Sequence, residues 1–144
     1  MELIMSVKLL VIDDDSAVTD LLSLLLKSHG FEVAATNNSS EGLGMIRENA
    51  PDVVILDLMM PDMDGWQICK AVREFSQVPI IILSALNDPS MIASVLDAGA
   101  DDYLTKPTPS RVLIAHINRL LNRTGSVNSS ASMNDPFTKP LPAA

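Results

Sequence analysis

Apolar and polar positions follow two rhythms along the chain. Short apolar runs stand at 8–12 (KLLVI), 32–36 (EVAAT), 52–56 (DVVIL), 79–83 (PIIIL) and 102–105 (DYLT), each of a length suited to a strand. Between them the apolar residues recur at helical spacing. Val18, Leu21, Leu22 and Leu25 carry the rhythm in the first such stretch, and Leu113, Ile117, Leu120 and Leu121 carry it in the last. The pattern predicts five repeats of strand then helix.

Punctuation between the segments agrees with that count. Gly30 follows the first helical stretch where a left-handed cap is expected, Pro51 follows the second, and Gly99 closes the fourth. Ser16, Ser39 and Asp88 stand where helix N-caps are wanted, and Pro89 takes the first helical position after Asp88. The near-continuous apolar runs of strands one, three and four imply burial on both faces, as in a parallel sheet covered by helices. The predicted fold is a doubly wound α/β sheet, with its ligand site outside the carboxyl ends of the strands where the winding reverses.

Composition narrows this without altering it. At 144 residues the chain is one domain's worth, with 47% hydrophobic and only 3% aromatic residues, so Leu, Ile, Val, Ala and Met must build the core. The net charge of −8 argues against direct binding to a nucleic-acid backbone and favours proteins, metal ions or phosphorylated donors as partners. A single cysteine, Cys69, excludes an internal disulfide and reads as a buried thiol in a reducing compartment. The N-terminal apolar stretch is too short to span a membrane and runs into three aspartates, so neither an anchor nor a signal peptide is indicated. From Thr124 the chain becomes rich in Ser, Asn and Pro and loses all periodicity. The expected organisation is a domain over 1–123 and a linker or disordered tail over 124–144.

Chemistry enters at the strand ends. Strand one is followed by Asp13, Asp14 and Asp15, strand three by Asp57, strand four ends towards Ser84, and strand five is followed by Lys106. In a parallel sheet these ends share one edge. Carboxylates gathered there raise one another's pKa unless a cation is present, and a hard ion such as Mg²⁺, which keeps several waters, would neutralise them. An ammonium, a hydroxyl and a metal-binding carboxylate set around one free carboxylate oxygen make a cradle for phosphoryl transfer onto Asp57. Taken singly, each residue is as well read as a cap, a turn former or a surface charge. The conjunction at four strand ends favours the chemical reading. Lys106–Pro107 after a strand is also a natural place for a cis peptide bond. Two lookalikes fail on spacing. An EF-hand register would put Met60 at its first ligand position and Ala71 at its twelfth, and a dehalogenase-type D-x-D motif would need an aspartate where Met59 stands.

With VIDDD, VILDLMMPDMDG, PIIILSA and AGADDYLTKP in register, the sequence over about 7–122 resembles the receiver domain of two-component response regulators. The resemblance implies a flavodoxin-like (βα)5 fold with strand order 2-1-3-4-5. It implies that Asp57 is the phosphoacceptor and that Asp14, Asp57 and the main-chain carbonyl of Met59 hold Mg²⁺, with Asp13 acting through water. Ser84 and Lys106 would bind the phosphoryl group, and Tyr103 would be the aromatic switch that turns inward with the Ser84 hydroxyl, so that the fourth helix, fifth strand and fifth helix form the output face. Met59 and Leu86 would flank the path of an attacking water. The output face departs from the pattern of receivers joined to winged-helix DNA-binding domains: Ile92, Val112 and His116 stand where that subfamily carries charged residues that pair across a dimer. His116 and His29 read as helix-surface residues.

The expected function is therefore a cytoplasmic signalling switch, a phosphoacceptor rather than an enzyme. It would receive its phosphoryl group from a sensor histidine kinase or phosphotransfer protein and alter the surface offered to an effector whose identity the sequence does not give. The alternative is an Mg²⁺-dependent phosphohydrolase with Asp57 as covalent intermediate. The sequence disfavours it, because no second carboxylate is placed to activate water at Asp57 and no cap segment is present to close a substrate pocket.

Overall fold

A computed structural model of the chain describes residues 6–124. Five strands, β1 (Lys8–Ile12), β2 (Glu32–Thr36), β3 (Val53–Leu56), β4 (Ile80–Ser84) and β5 (Asp102–Thr105), alternate with five helices, α1 (Ser16–Ser28), α2 (Ser39–Asn49), α3 (Gly65–Arg73), α4 (Pro89–Asp97) and α5 (Ser110–Thr124). Each observed strand agrees with its predicted run to within one residue at either end. All neighbouring strands pair in parallel, in the order β2-β1-β3-β4-β5. The doubly wound sheet expected from the sequence is the sheet observed. The proposed tail lies outside the described residues except for Thr124, the last residue of α5.

Successive strand residues point to opposite faces, and both faces are covered. On one face Leu10, Ile12, Val54, Leu56, Ile80 and Ile82 meet Ile46 of α2, Ile68 and Val72 of α3, and Val95 of α4. On the other Leu9, Val11, Val53, Ile55, Ile81 and Leu83 meet Leu26 of α1 and Leu113, Ile117, Leu120 and Leu121 of α5. Full burial of one such side chain stabilises by about 1.5–3 kcal/mol, so these two layers are the main force that holds the helices to the sheet. Cys69 is buried in the first layer, and burial pushes its thiol up to about 11.

Several local expectations shift. The caps of α1 and α2 are Asp15 and Asn38, one residue before the expected Ser16 and Ser39. Asp15 and Asn38 have extended backbones from which a side-chain oxygen reaches Ala17 N at 2.9 Å and Glu41 N at 2.8 Å, whereas the buried Ser39 hydroxyl donates to the Met63 carbonyl at 2.8 Å. Asp88 caps α4 with Pro89 at its start, as expected. Gly30 and Gly99 adopt positive φ, and Ala50 in the left-handed region ends α2 ahead of Pro51. In α1, Leu21 and Leu24 face solvent at 64% and 71% exposure while Leu26 is buried. The side that meets the sheet follows the i, i+4 line Val18, Leu22, Leu26, and Leu21 is turned about 100° from Leu22.

Candidate functional site

Main-chain hydrogen bonds carry the parallel ladder past the ends of the strands. Asp13 N–H donates to Thr36 O (3.2 Å), Asp57 N–H to Ile12 O (2.9 Å) and Lys106 N–H to Ser84 O (2.8 Å). These bonds bring the polar residues after β1, β3 and β5 to one edge. Carboxylate oxygens of Asp13, Asp14 and Asp57 lie within 4.8 Å of one another. Asp13 and Asp57 are buried and Asp14 is exposed. Lys106 Nζ is 2.8 Å from Asp13 Oδ2 and 4.0 Å from Asp57 Oδ1. The Lys106–Pro107 bond is cis.

Asp57 is a carboxylate that the fold makes costly to ionise. Burial pushes its pKa above the ordinary value and the neighbouring Asp13 adds to this, against the opposing pull of Lys106 and of the backbone N–H groups of Leu58 and Met59. Lys106 is the cation that a carboxylate at the end of a buried strand requires, but it stands closer to Asp13 than to Asp57, and its pull on the Asp57 pKa is outweighed by burial and by Asp13. Three carboxylates with oxygens this close form a donor set suited to a hard cation with a partly hydrated shell. The turn beyond Asp57 is held tightly. Gly65 N–H donates to Leu58 O at 2.9 Å, and a Cβ at Gly65 would stand 2.9 Å from Leu58 Cα, so a side chain there would force the loop off the strand end. Asp64 and Gln67 then close a capping box at the start of α3.

A second group adjoins the first. Ser84, buried at the end of β4, accepts the Leu86 N–H at 3.3 Å, and the Tyr103 hydroxyl donates to the Leu86 carbonyl at 2.5 Å. Burial raises the Tyr103 pKa and the charge of Asp57 raises it further, while a hydrogen bond with Ser84 acts the other way. Ser84, Leu86 and Tyr103 thus form one bonded set beside Asp57. Of the residues expected at an output face, Ile92 is half-buried and Val112 is exposed. His116, expected on the helix surface, is half-buried with Nδ1 2.5 Å from Asp102 Oδ2, which also accepts from Arg119 at 2.8 Å. Sequence reasoning missed that pairing, the Leu86 carbonyl, and Asn37, which follows β2 on the same edge and donates to the Asp13 carbonyl at 2.7 Å.

Residues 9–118 match the response regulator receiver domain family. The chain belongs to that family. This receiver domain is 43% identical over 115 residues to the transcriptional regulatory protein AfsQ1 of Streptomyces coelicolor, covering 80% of this chain and 51% of that protein. It is 41% identical over 135 residues to the response regulator MprA of Mycobacterium bovis, covering 93% of this chain and 59% of that protein. The chain therefore spans about half the length of the curated relatives it matches. Among solved structures, a two-component response regulator from Clostridium difficile superposes with a TM-score of 0.80 at 32% identity over 83% of this chain and 98% of that one. The BeF3-activated N-terminal receiver domain of Klebsiella pneumoniae RstA gives 0.76 at 32% identity over 79% and 97%. Receiver domains of this family are phosphorylation-activated switches, regulatory domains rather than metabolic enzymes. Among the described residues no helix is long and apolar enough to cross a membrane.

Proposed function

We propose that Asp57 is the phosphoacceptor and that the domain passes its phosphorylation state to the surface formed by α4, β5 and α5. The observation that carries this reading is the meeting of three carboxylates with Lys106 at one sheet edge, beside the bonded set of Ser84, Leu86 and Tyr103. Asp14, Asp57 and the Met59 carbonyl would hold Mg²⁺, with Asp13 acting through water. Bound there, the ion offsets the negative charge of the acceptor and of the incoming phosphoryl oxygens.

In the transfer an Asp57 carboxylate oxygen attacks phosphorus in line with the leaving nitrogen of a kinase's phosphohistidine. The P–O bond forms as the P–N bond breaks, and the electron pair returns to the imidazole nitrogen. Lys106 draws one phosphoryl oxygen and the Ser84 hydroxyl donates to another. Movement of Ser84 towards the phosphoryl group changes the Leu86 loop, and Tyr103 carries that change to β5 and its neighbours. The donor is a sensor histidine kinase or phosphotransfer protein, and the compartment is the cytoplasm.

The hydrolase alternative is not favoured. The family match is what weighs against it, since Asp13 and Asp14 do stand beside Asp57. A cavity of about 350 Å³ lined by Lys8, Glu32, Met45 and Glu48 lies at the amino ends of β1 and β2, away from Asp57, and one of about 330 Å³ on the acceptor's edge is lined by Asn37, Asn38, Ser39, Pro61 and Asp62, with Asp57 not among its lining residues. Incubation with acetyl phosphate and Mg²⁺ tests the reading. A stoichiometric acyl-phosphate on Asp57, absent from Asp57→Ala, is expected; label on another residue, or continuous release of phosphate well beyond one equivalent, would overturn it.

A further inference from the structure

The Asp14 carboxylate is exposed and, among the described residues, makes no hydrogen bond of its own. Its position is therefore set by the main chain, in particular by the peptide that joins it to Asp13. The carbonyl oxygen of that peptide accepts a hydrogen bond from Asn37 Nδ2 at 2.7 Å. The same nitrogen donates to Thr19 Oγ1 at 3.0 Å, and the Thr19 hydroxyl donates to Ser16 O at 3.1 Å. Thr19 is buried in α1, so it gives Asn37 a fixed second anchor. On the other side of the loop the Asp13 carboxylate accepts from Lys106 Nζ at 2.8 Å and from Asp15 N–H at 3.0 Å.

From this arrangement we infer that Asn37 is a positioning residue of the metal site: its amide, braced on Thr19, fixes the Asp13–Asp14 peptide and so aims the Asp14 carboxylate. The inference rests on the reading of Asp14 as a metal ligand. Both amide hydrogens of Asn37 are used, and each does a different task. One holds the loop. The other locks the Asn37 rotamer to α1, so that the hold is made by a rigid group. An aspartate at this position could not donate, and a serine would be too short to span from Asp13 O to Thr19.

Loss of this brace leaves the ligand present but no longer preorganised, and it falls on Mg²⁺ affinity more than on the fold, because Asn37 is exposed and belongs to neither apolar layer. Asn37→Ala is expected to weaken Mg²⁺ binding to the unphosphorylated protein by about tenfold, equivalent to about 1.4 kcal/mol. Thr19→Val, which keeps the shape of the buried side chain and removes its hydroxyl, is expected to weaken it less, and the double variant by no more than Asn37→Ala alone. Exposed Ser40→Ala serves as the control, with native affinity.

Mg²⁺ titrations of the folded proteins followed by amide NMR shifts read these affinities directly, with thermal midpoints measured alongside. A purely structural role would lower the midpoint and leave the Mg²⁺ affinity of the folded protein untouched, and that result would overturn the inference. So would additive losses in the double variant, which would mean that the two residues act separately. If Asn37→Ala fails to fold, Asn37→Leu, of similar shape and without a donor, reads the same quantity. Native protein that binds Mg²⁺ beside an Asn37 variant of equal affinity overturns the inference alone; native protein indifferent to Mg²⁺ overturns the metal reading as well.

Discussion

Lys106 serves two carboxylates unequally, standing 2.8 Å from Asp13 and 4.0 Å from Asp57. Lys106→Ala removes the positive charge nearest the acceptor, so Mg²⁺ should bind several-fold more tightly while phosphorylation no longer moves Tyr103. Calorimetry checks the first outcome and the Tyr103 ring resonances the second; a wild-type response of Tyr103 in the phosphorylated variant would remove the lysine from the coupling. Lifetime depends on other residues. Met59 is exposed and Leu86 packs against the apolar layer between the sheet and α3 and α4, and neither side chain can orient a water in line with the phosphorus. Phospho-Asp57 should therefore decay slowly, and Met59→Asn with Leu86→Glu should speed its decay about tenfold, a barrier change of roughly 1.4 kcal/mol. Decay of labelled protein in Mg²⁺ buffer without a partner measures this, and loss within seconds from the native chain would contradict it. The charged site residues were legible because carboxylate and ammonium after a buried strand demand each other. Asn37 was not, since an amide alone carries no such demand and its partner carbonyl is 24 residues away.

Among the helices α4 is the least anchored: Val95 is its one fully buried side chain, whereas α5 buries Leu113, Ile117, Leu120 and Leu121. Its lateral tie is a hydrogen bond from Trp66 Nε1 in α3 to Ser94 Oγ at 2.9 Å. Helices with little buried apolar contact open at low free energy, so the α4 amides should exchange with solvent faster than those of α5 or β3, and Ser94→Ala should quicken α4 further. Amide exchange by NMR checks both, with the fluorescence of the single tryptophan as a second reading; α4 protection equal to that of α5 would sink the expectation. Such a helix suits an output surface, because a small change in the loop before it can shift its position. Strand limits were readable because β3 and β4 are buried on both faces, so their apolar runs are continuous and stop at the polar residues Asp57 and Ser84. The orientation of α1 was not readable. Leucines at 21, 22, 24, 25 and 26 surround most of the helix, so the pattern has no single direction and only packing selects Leu26.

At the scale of the whole molecule the acidic edge is a fault in stability that a bound cation would correct. Burial and Asp13 hold the Asp57 pKa above its ordinary value of 3.8, so the folded state binds more protons than the unfolded state in the window immediately above that value. The sign follows: with Mg²⁺ removed, this group's contribution to stability is fully present below about pH 3.8 and is lost as the pH rises through the folded pKa. At neutral pH the ionised Asp57 opposes folding. Replacement by the neutral isostere removes the opposing charge, so Asp57→Asn in EDTA at pH 7 should melt a few degrees above the native protein. Mg²⁺ should reverse the order. A cation that binds only the folded state stabilises it by RT ln(1 + [L]/Kd), about 1.4 kcal/mol at ten times Kd, and at the proposed metal site this gain would require the Asp57 carboxylate. The native midpoint should climb with Mg²⁺ concentration while that of Asp57→Asn stays nearly flat, so that the two curves converge or cross. Thermal melts over a Mg²⁺ series decide it. Equal rises in both proteins would place the ion away from Asp57, and a native protein more stable than Asp57→Asn in EDTA would show that Lys106 already compensates the acceptor's charge.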